Sequence, residues 1–324
     1  MSPRPGPRNL LTDVPGLTVG HATDERVGTG VTVLRCAHPF VAAVDVRGGG
    51  PGVRETETLA PENLVPGVHA IVLTGGSVFG LAAADAVTAR LSVQGTGLQL
   101  RPGSKHIPIV PAAVLHDLMN PGDKDWGEAP PYRALGVQAL DAAAEQFALG
   151  AVGAGRGAQA GTAKGGIGSA SLDLGDGIVV GALAAVNSIG STLMPDGETF
   201  WAWPFERDDE FGGHRPGAVM PDLDPLADLG RLMPGAATTL AVVACNAALT
   251  KAEAKRVAIM AQDGMARAIR PIHTPFDGDL VFSLASGAVP LGERLPREVD
   301  VARIGTVAAD CLARAIARGV FEAR

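Results

Sequence analysis

The most informative part of the chain is the stretch of residues 238–287, TTLAVVACNAALTKAEAKRVAIMAQDGMARAIRPIHTPFDGDLVFSLASG. Its first eight residues form a β-rich apolar run and predict a central strand. Thr250 and Glu253 have the spacing of a capping box, and the apolar residues that follow keep helical periodicity as far as Ile269. The Asp-Gly-Asp sequence at 277–279 predicts a tight turn before another strand. The stretch therefore predicts a strand, a helix and a second strand in succession.

Apolar runs before and after this stretch extend the same mixture of strands and helices. GVTVLRC, FVAAVDV, HAIVLTGG and the region around 177–185 are predicted strands, because short apolar runs bounded by turn residues are typical of strands. Helices are predicted at 81–91, 134–149 and 299–318. The first nine residues contain three prolines and no apolar pattern, which predicts a loose tail.

The segment 204–237 ends directly before the predicted central strand and differs from the rest of the chain. It contains five prolines and seven acidic residues and has little periodicity. Connections of more than about 15 residues inside a compact domain are usually functional or mobile. We therefore expect a long irregular connection that leads into Thr238.

The composition limits the classes to which this chain of 324 residues can belong. Hydrophobic residues make up 46%, aromatic residues only 4%, and there are 43 glycines, which favours tightly packed layers of strand and helix. The net charge is −7 without any cluster of lysine or arginine, which disfavours a nucleic-acid partner. Three widely spaced cysteines argue against a disulfide framework and a zinc cluster. With no signal peptide and no apolar run of about 18 residues, we expect a cytoplasmic protein that has no membrane partner.

Four familiar nucleotide-binding and catalytic motifs are missing. The P-loop pattern fails at Lys164, and the glycines that begin at Gly153 lack the last glycine of a dinucleotide fingerprint. GGSVFG has Phe79 where a nucleophile elbow requires glycine, and no H-E-x-x-H occurs. We therefore expect chemistry without a nucleotide, another cofactor or a metal.

Thr238 begins the predicted central strand directly after the long connection. A nucleophilic hydroxyl needs a base, and a threonine made N-terminal by backbone cleavage carries that base in its own α-amine. Such a threonine should follow an accessible loop and open a rigid strand, and Thr238 meets both conditions. The alternative is that Thr238 and Thr239 are β-branched strand residues without a catalytic role.

Four other polar residues stand out because their surroundings are apolar or rich in glycine. Lys164 lies in a Gly/Ala/Ser segment, where an ammonium needs a carboxylate partner or a shifted pKa unless it is a surface lysine. Asn187 follows an apolar strand, either as a turn cap or as a catalytic amide. Asp277 and Asp279 bracket Gly278, either as turn residues or as a carboxylate pair close to a cation.

The 238–287 stretch and five upstream motifs together resemble a family of self-processing aminopeptidases. This family includes β-peptidyl aminopeptidases, the L-aminopeptidase D-amidase/esterase and the nylon-oligomer hydrolase. The upstream motifs are LTGGSVFGLAAADAV, VPAAVLHDL, YRALG, GRGAQAGTAKGGIGSAS and AAVNSIGS. The resemblance covers nearly the whole chain, and the ordered set of motifs is specific.

The resemblance implies an α/β fold of the autoproteolytic N-terminal-nucleophile type. In this fold two β-sheets form a layered sandwich that is flanked by helices. The resemblance also implies a single catalytic domain over 1–324, which cleaves itself between Ala237 and Thr238 into an α chain of 1–237 and a β chain of 238–324. Thr238 is then the nucleophile, and the αβ units associate into a homo-oligomer.

By motif position the resemblance also implies the residues that assist Thr238. Lys164, Asn187, Asp277 and Asp279 correspond to catalytic residues of the family. Asp277 and Asp279 would hold the Lys164 ammonium and the α-ammonium of Thr238. Asn187 would stabilise the oxyanion through its Nδ2.

Two positions depart from the family pattern. Relatives usually have Asn or Gly before the nucleophile, where this chain has Ala237. A tyrosine that binds the oxyanion in some members corresponds to His116, and an imidazole can donate the same hydrogen bond. The only tyrosine of the chain, Tyr132, lies elsewhere in the sequence, in a proline-rich loop.

The implied function is hydrolysis of amide bonds in a small peptide or amide substrate. Short peptides, aminoacyl amides and esters fit this chemistry, and β-peptides and oligoamides are further candidates. One alternative is an acetyl-transferring enzyme of arginine biosynthesis of the ornithine acetyltransferase type, whose usual K-G-A-T cleavage motif is matched only in part by residues 236–238. Another alternative is a non-catalytic binding protein, which requires that the chain is never cleaved.

Overall fold

The structure is a computed structural model that describes residues 3–217 and 237–324. Within these ranges the strands are β1 (Leu17–Asp24), β2 (Thr29–Val46), β3 (Gly52–Arg54), β4 (Val68–Thr74), β5 (Ala112–Val114), β6 (Gln159–Ala160), β7 (Ala163–Lys164), β8 (Gly166–Asp173), β9 (Val179–Asn187), β10 (Thr238–Ala247) and β11 (Leu280–Val289). The α-helices are α1 (Ala82–Val93), α2 (Tyr132–Asp141), α3 (Lys251–Ala268) and α4 (Arg297–Phe321). None of these described helices combines the length and the apolarity that crossing a membrane requires.

Nine of the described strands form one large sheet. Its order is β3-β5-β4-β2-β11-β10-β9-β8, β1 pairs with β2, and β6 and β7 form a separate hairpin. Strand β2 is 18 residues long. Its first part pairs with β1 and β4 and its last part pairs with β11, with a register shift between Arg35 and Phe40. The two predicted sheets are therefore two halves of one sheet that β2 connects.

The side chains of β10 show how the two halves are layered. Leu240 and Val242 belong to an apolar core that also contains Leu34 and Ile71 of the other half. Val243 belongs instead to a core that includes residues of α3 and α4, because successive side chains of a strand point to opposite faces. A third core packs α1 and α2 against β2 and β4. Two facing sheet halves with helices on both outer sides confirm the predicted α/β sandwich.

Small residues allow α3, α4 and the sheet to approach closely. Gly168 of β8 faces the backbone of α4, and a Cβ added there would overlap the carbonyl oxygen of Ala315. Gly264 of α3 likewise faces the carbonyl oxygen of Ala309 in α4. The many glycines and alanines of the composition thus serve close backbone packing.

The stretch 238–287 folds as its sequence predicts. Strand β10 is buried along its whole length and lies between antiparallel β9 and parallel β11. Helix α3 starts with the predicted capping box, in which the Thr250 side chain accepts from the Glu253 N–H and the Glu253 carboxylate accepts from the Thr250 N–H at 2.7 Å. The helix is the crossover that two parallel strands require.

Two predicted segments differ from the structure. Helix α2 ends at Asp141 instead of near 149, because Ala144 exchanges backbone hydrogen bonds with Val19 of β1 at 2.9 and 3.1 Å. The N-terminal tail is anchored where it is described, since Arg4 and Asp173 exchange backbone hydrogen bonds at 3.0 and 2.7 Å. Backbone pairing with existing strands overrides the local sequence pattern in both cases.

The predicted irregular connection at 204–237 lies mostly outside the described residues. The described part includes a short 3-10 helix, Trp203–Phe205, followed by turns and irregular backbone as far as residue 217. Residues 218–236 are not described.

Candidate active site

The ends of three neighbouring strands bring the predicted polar residues together. Asn187 ends β9 and lies opposite Thr238, the first residue of β10, in the antiparallel pair. Asp277 precedes β11 on the other side of β10 and forms a parallel bridge with Ala237. Because β10 and β11 are parallel, they begin at the same end of the sheet. Thr238, Asn187 and the Asp-Gly-Asp turn therefore share this end.

The side chain of Thr238 is buried against the peptide group that precedes it. The residue is 2% exposed, and its Oγ1 donates a hydrogen bond to the carbonyl oxygen of Ala237 at 2.5 Å. The same carbonyl oxygen accepts a hydrogen bond from the N–H of Gly278 at 2.9 Å. Two donors thus hold the carbonyl that a self-cleavage would attack.

Asp279 links the start of β10 to the loop before β11. The residue is fully buried. Its Oδ1 accepts from the N–H of Thr239 at 2.7 Å, and its Oδ2 accepts from the N–H of His273 at 3.1 Å and lies 3.0 Å from His273 Nδ1. Asp279 therefore fixes the backbone directly after Thr238.

Asp277 is also fully buried, but its carboxyl group is held mainly by its own loop. Its Oδ2 accepts from the N–H and the hydroxyl of Thr274 at 2.8 and 2.6 Å, and its Oδ1 lies 3.5 Å from the N–H of Ile189. Burial, and then the charge of Asp279, raise the pKa of Asp277. Asp277 therefore takes up a proton more readily than an exposed aspartate.

The raised pKa of Asp277 predicts that its contribution to stability falls as pH rises. Above the ordinary aspartate pKa of about 3.9 and up to the raised value, the folded chain holds a proton that the unfolded chain has released. The free energy of unfolding therefore decreases through this window by about 1.4 kcal/mol for each unit by which the pKa is raised. Asp277→Asn removes the carboxyl group and, with it, this decrease in the free energy of unfolding. We expect the melting temperature of this variant minus that of its parent to increase as the pH rises above about 4.

The measurement is thermal unfolding in a Thr238→Ala background, so that chain cleavage does not contribute. Asp263→Asn, on the exposed face of α3, is the control for the loss of one surface carboxylate. A pH-independent difference for Asp277→Asn would contradict the prediction.

Asn187 is buried, and its contacts define the orientation of its amide. Its Oδ1 accepts from the N–H of Gln159 at 2.9 Å, and its Nδ2 donates to the carbonyl oxygen of His116 at 3.2 Å. Because the N–H of Gln159 needs an acceptor, the amide oxygen of Asn187 faces Gln159 and the NH₂ group of Asn187 faces His116. One of its two hydrogens is used there, and the other remains for a further acceptor.

His116 joins this cluster through its backbone carbonyl. Its imidazole is half-buried, and its proposed role as an oxyanion donor stays a prediction. Tyr132 is fully buried with its hydroxyl 3.4 Å from Thr29 Oγ1. The described hydrogen bonds of this hydroxyl do not include one to Thr238.

Lys164 is exposed and does not form the charge network predicted for it. It lies in β7 opposite Gln159 of β6. Over 3–217 and 237–324, no salt bridge joins Lys164 to Asp277 or Asp279. The described hydrogen bonds of these two carboxyl groups come from donors of Ile189, β10 and the 273–279 loop. The catalytic role of Lys164 stays a prediction.

Two groups of this site, His273 and the backbone N–H of Gly278, are not among the residues predicted from the sequence. His273 has a left-handed backbone, with φ of 57°, in which histidine is commoner than most other non-glycine residues. The available signal was a histidine six residues before Asp279. Gly278 contacts the site through its backbone N–H, and a backbone group cannot be recognised from the side chains of the sequence.

The chain also matches a known protein family. The family model described as Peptidase family S58 matches residues 9–324. The chain belongs to peptidase family S58. A relative of this S58 chain from Mycobacterium tuberculosis, named an uncharacterized aminopeptidase, is 43% identical over 335 residues, which cover 98% of this chain and 94% of the relative. A 6-aminohexanoate-oligomer endohydrolase from Kocuria sp. is 28% identical over 325 residues, with 95% of this chain and 84% of that protein covered.

Solved structures show the fold of this S58 chain. A Burkholderia sp. beta-aminopeptidase matches with a TM-score of 0.72 at 24% identity, covering 98% of this chain and 88% of that one. The L-aminopeptidase D-Ala-esterase/amidase from Ochrobactrum anthropi, described as a variant of the Ntn hydrolase fold, matches with a TM-score of 0.71 at 19% identity, covering 100% and 89%. The predicted N-terminal-nucleophile type of fold is therefore confirmed. As a member of family S58, the chain is an enzyme of the peptidase and amidohydrolase class.

Proposed function

We propose that this S58 chain cleaves its backbone between Ala237 and Thr238 and then uses Thr238 as an N-terminal nucleophile. The proposed products are 1–237 and 238–324, which together form one catalytic domain. The observation that carries the proposal is the buried Thr238 hydroxyl, 2.5 Å from the carbonyl oxygen of Ala237. Because Thr238 is also the first residue of a buried strand, the new N-terminus would be held in place.

The proposed cleavage begins with attack of Thr238 Oγ1 on the carbonyl carbon of Ala237. The C–N bond then breaks, the hydroxyl proton ends on the nitrogen of Thr238, and an ester joins the two parts. Water hydrolyses this ester, which leaves a carboxylic acid at Ala237 and restores the hydroxyl of Thr238. No cofactor enters this balance.

In the proposed turnover, the free α-amine of Thr238 serves as the base for its own hydroxyl. It accepts the proton when Oγ1 attacks the substrate carbonyl, and the proton then goes to the leaving amine. Asn187 Nδ2 stabilises the oxyanion, an effect of about 3 kcal/mol for one donor. The imidazole of His116 is a second proposed donor. Asp279 holds the nucleophile in register through the N–H of Thr239 at 2.7 Å.

Several contacts would keep the two proposed products together after cleavage. Strands β10 and β11 lie between β2 and β9, so the sheet contains strands of both parts. Arg314 of α4 is fully buried and forms a bidentate ion pair with Glu210 at 2.5 and 2.9 Å. Arg314 also donates to the side-chain oxygen of Asn9 at 2.8 Å. Cleavage would thus free the N-terminus of Thr238 without dividing the core.

Lys164 is proposed to act from the β6–β7 hairpin. Its strand partner Gln159 donates to Asn187, which lies opposite Thr238. Lys164→Ala is expected to reduce turnover by about 10²-fold, as for the loss of one electrostatic group. Because the side chain is exposed, the melting temperature should not change.

Steady-state kinetics and thermal unfolding test the role of Lys164. Lys105→Ala, which removes another exposed lysine, is the matched control and should be neutral in both measurements. Wild-type turnover in Lys164→Ala would show that Lys164 is a surface lysine without a role.

The proposed substrates are short peptides, aminoacyl amides and aminoacyl esters with a free amino end. Relatives named for 6-aminohexanoate oligomers and a fold shared with a beta-aminopeptidase support the extension to oligoamides and β-peptides. The homo-oligomer of αβ units and the cytoplasmic location stay predictions.

Amine release from a panel of aminoacyl amides and short α- and β-peptides tests this function. Thr238→Ala is the blank, and transfer of the acetyl group from N-acetylornithine to glutamate is measured in parallel. We expect hydrolysis of at least one amide that disappears in the blank. Acetyl transfer faster than hydrolysis of every amide would instead support the transferase alternative.

A further inference from the structure

We infer that the backbone N–H of Gly278 is the oxyanion donor of the self-cleavage step. This inference rests on the proposed self-cleavage at Thr238. The inferred oxyanion donor of the cleavage step differs from Asn187, which is the oxyanion donor proposed for substrate turnover. Gly278 would thereby be a catalytic residue through its main chain alone.

The position of the Gly278 N–H relative to the scissile carbonyl supports this role. Its nitrogen lies 2.9 Å from the carbonyl oxygen of Ala237, on the peptide group that Thr238 would attack. Effective oxyanion donors lie about 2.7–3.1 Å from the oxygen that becomes charged. The hydrogen bond therefore exists before the reaction and becomes stronger as the negative charge develops.

Backbone contacts on both sides hold the Gly278 turn in place. Asp277 and Ala237 form the parallel bridge, and the carbonyl oxygen of Asp277 accepts from the N–H of Gly50 at 2.8 Å. On the other side, the carbonyl oxygen of Asp279 accepts from the N–H of Gly48 at 3.1 Å. A donor that is fixed in this way needs no reorganisation when charge appears.

The space around Gly278 explains why this residue has no side chain. A Cβ at this position would lie 2.6 Å from Thr238 Oγ1 and 2.9 Å from the carbonyl oxygen of Gly50. Both distances are shorter than real Cβ contacts. Gly278 does not have a positive φ, so the requirement for glycine is one of space beside the nucleophile and not of backbone conformation.

In the inferred step, Thr238 Oγ1 forms a bond to the carbonyl carbon of Ala237, and the π electrons move to the carbonyl oxygen. The Gly278 N–H stabilises this oxyanion. When the carbonyl re-forms, the C–N bond breaks, and the proton of the hydroxyl ends on the nitrogen of Thr238. Asn187 has no described hydrogen bond to the Ala237 oxygen; its described contacts are the donation from Nδ2 to the carbonyl oxygen of His116 and the acceptance by Oδ1 from the N–H of Gln159.

Replacement of the Gly278 N–H by an ester oxygen tests the inference directly. Cell-free translation with glycolic acid in place of glycine at 278 makes this change in the full chain. We expect cleavage at Thr238 to slow by about 10²- to 10³-fold, as for the loss of one oxyanion donor. The same replacement at Gly217, whose N–H makes no hydrogen bond to a described residue, is the control and should cleave at the normal rate.

The outcomes separate this inference from the proposed function. If the unmodified chain is never cleaved, the proposed function fails. If the unmodified chain is cleaved, and the chain with the ester at 278 is cleaved at Thr238 within about threefold of the same rate, the inference fails while the proposed function stands. If the ester variant loses its thermal transition under the assay conditions, both chains are compared at a lower temperature and in a stabilising osmolyte, where the ester variant is folded: slower cleavage of the ester variant supports the inference, and equal rates overturn it.

Discussion

Thr238→Ala is expected to leave the chain intact at 324 residues and to abolish amide hydrolysis. One hydroxyl serves both reactions, since it attacks the carbonyl of Ala237 in the precursor and the substrate carbonyl in the processed enzyme. Removal of a nucleophile reduces catalysis by roughly 10⁴-fold or more. Intact mass of the denatured chain measures cleavage, and amine release measures turnover.

Two matched variants accompany this measurement. Thr239→Ala removes the neighbouring buried hydroxyl, whose Oγ1 has no hydrogen-bond partner among the described residues, and it should leave cleavage intact. Thr238→Ser keeps a hydroxyl at the nucleophile position and should still be cleaved. Normal processing in Thr238→Ala would exclude Thr238 as the nucleophile.

Asp279→Ala is expected to destabilise the chain and to slow cleavage strongly. The change leaves the N–H of Thr239 and two nitrogens of His273 without their acceptor in a buried site. A buried donor that is left without its acceptor typically costs about 1–3 kcal/mol. Because Asp279 also fixes the backbone beside Thr238, cleavage should slow by about 10²-fold or more, as for a misplacement of about 1 Å.

Denaturant unfolding and the half-life of cleavage measure the two effects of Asp279→Ala. Asp196→Ala is the matched control, because Asp196 also accepts two backbone N–H groups, at 3.0 and 2.8 Å, but in an exposed turn. Asp196→Ala should lower the free energy of unfolding by about 1 kcal/mol or less and leave cleavage unchanged. An Asp279→Ala chain that is cleaved at the normal rate would contradict the positioning role.

The sequence was sufficient for the elements around the site but not for their arrangement in the sheet. The run at 238–245 and the Asp-Gly-Asp turn carry local signals, namely β-branched residues and turn chemistry. The pairing of Asn187 with Thr238 depends on the antiparallel register of β9 and β10, which no single strand encodes. The resemblance to known proteins, not the local pattern, placed these residues in one site.

The predictions that differ from the structure involve groups whose partners lie far away in the sequence. We expected Lys164 to pair with Asp277 and Asp279, but the described hydrogen bonds of these carboxyl groups come from Thr239 and His273 for Asp279 and from Thr274 and Ile189 for Asp277. The contributions of Gly278 and Gln159 to the site are made by backbone N–H groups, and every residue except proline has one. Only the folded chain shows which of these N–H groups point at the site.

N-terminal sequencing combined with intact mass of the freshly purified, denatured chain tests cleavage between Ala237 and Thr238. Two pieces are expected, 1–237 and 238–324, and the smaller should begin with TTLAVV. A single chain that shows no new N-terminus after days at neutral pH would contradict self-processing and, with it, the role of the Thr238 α-amine as the catalytic base.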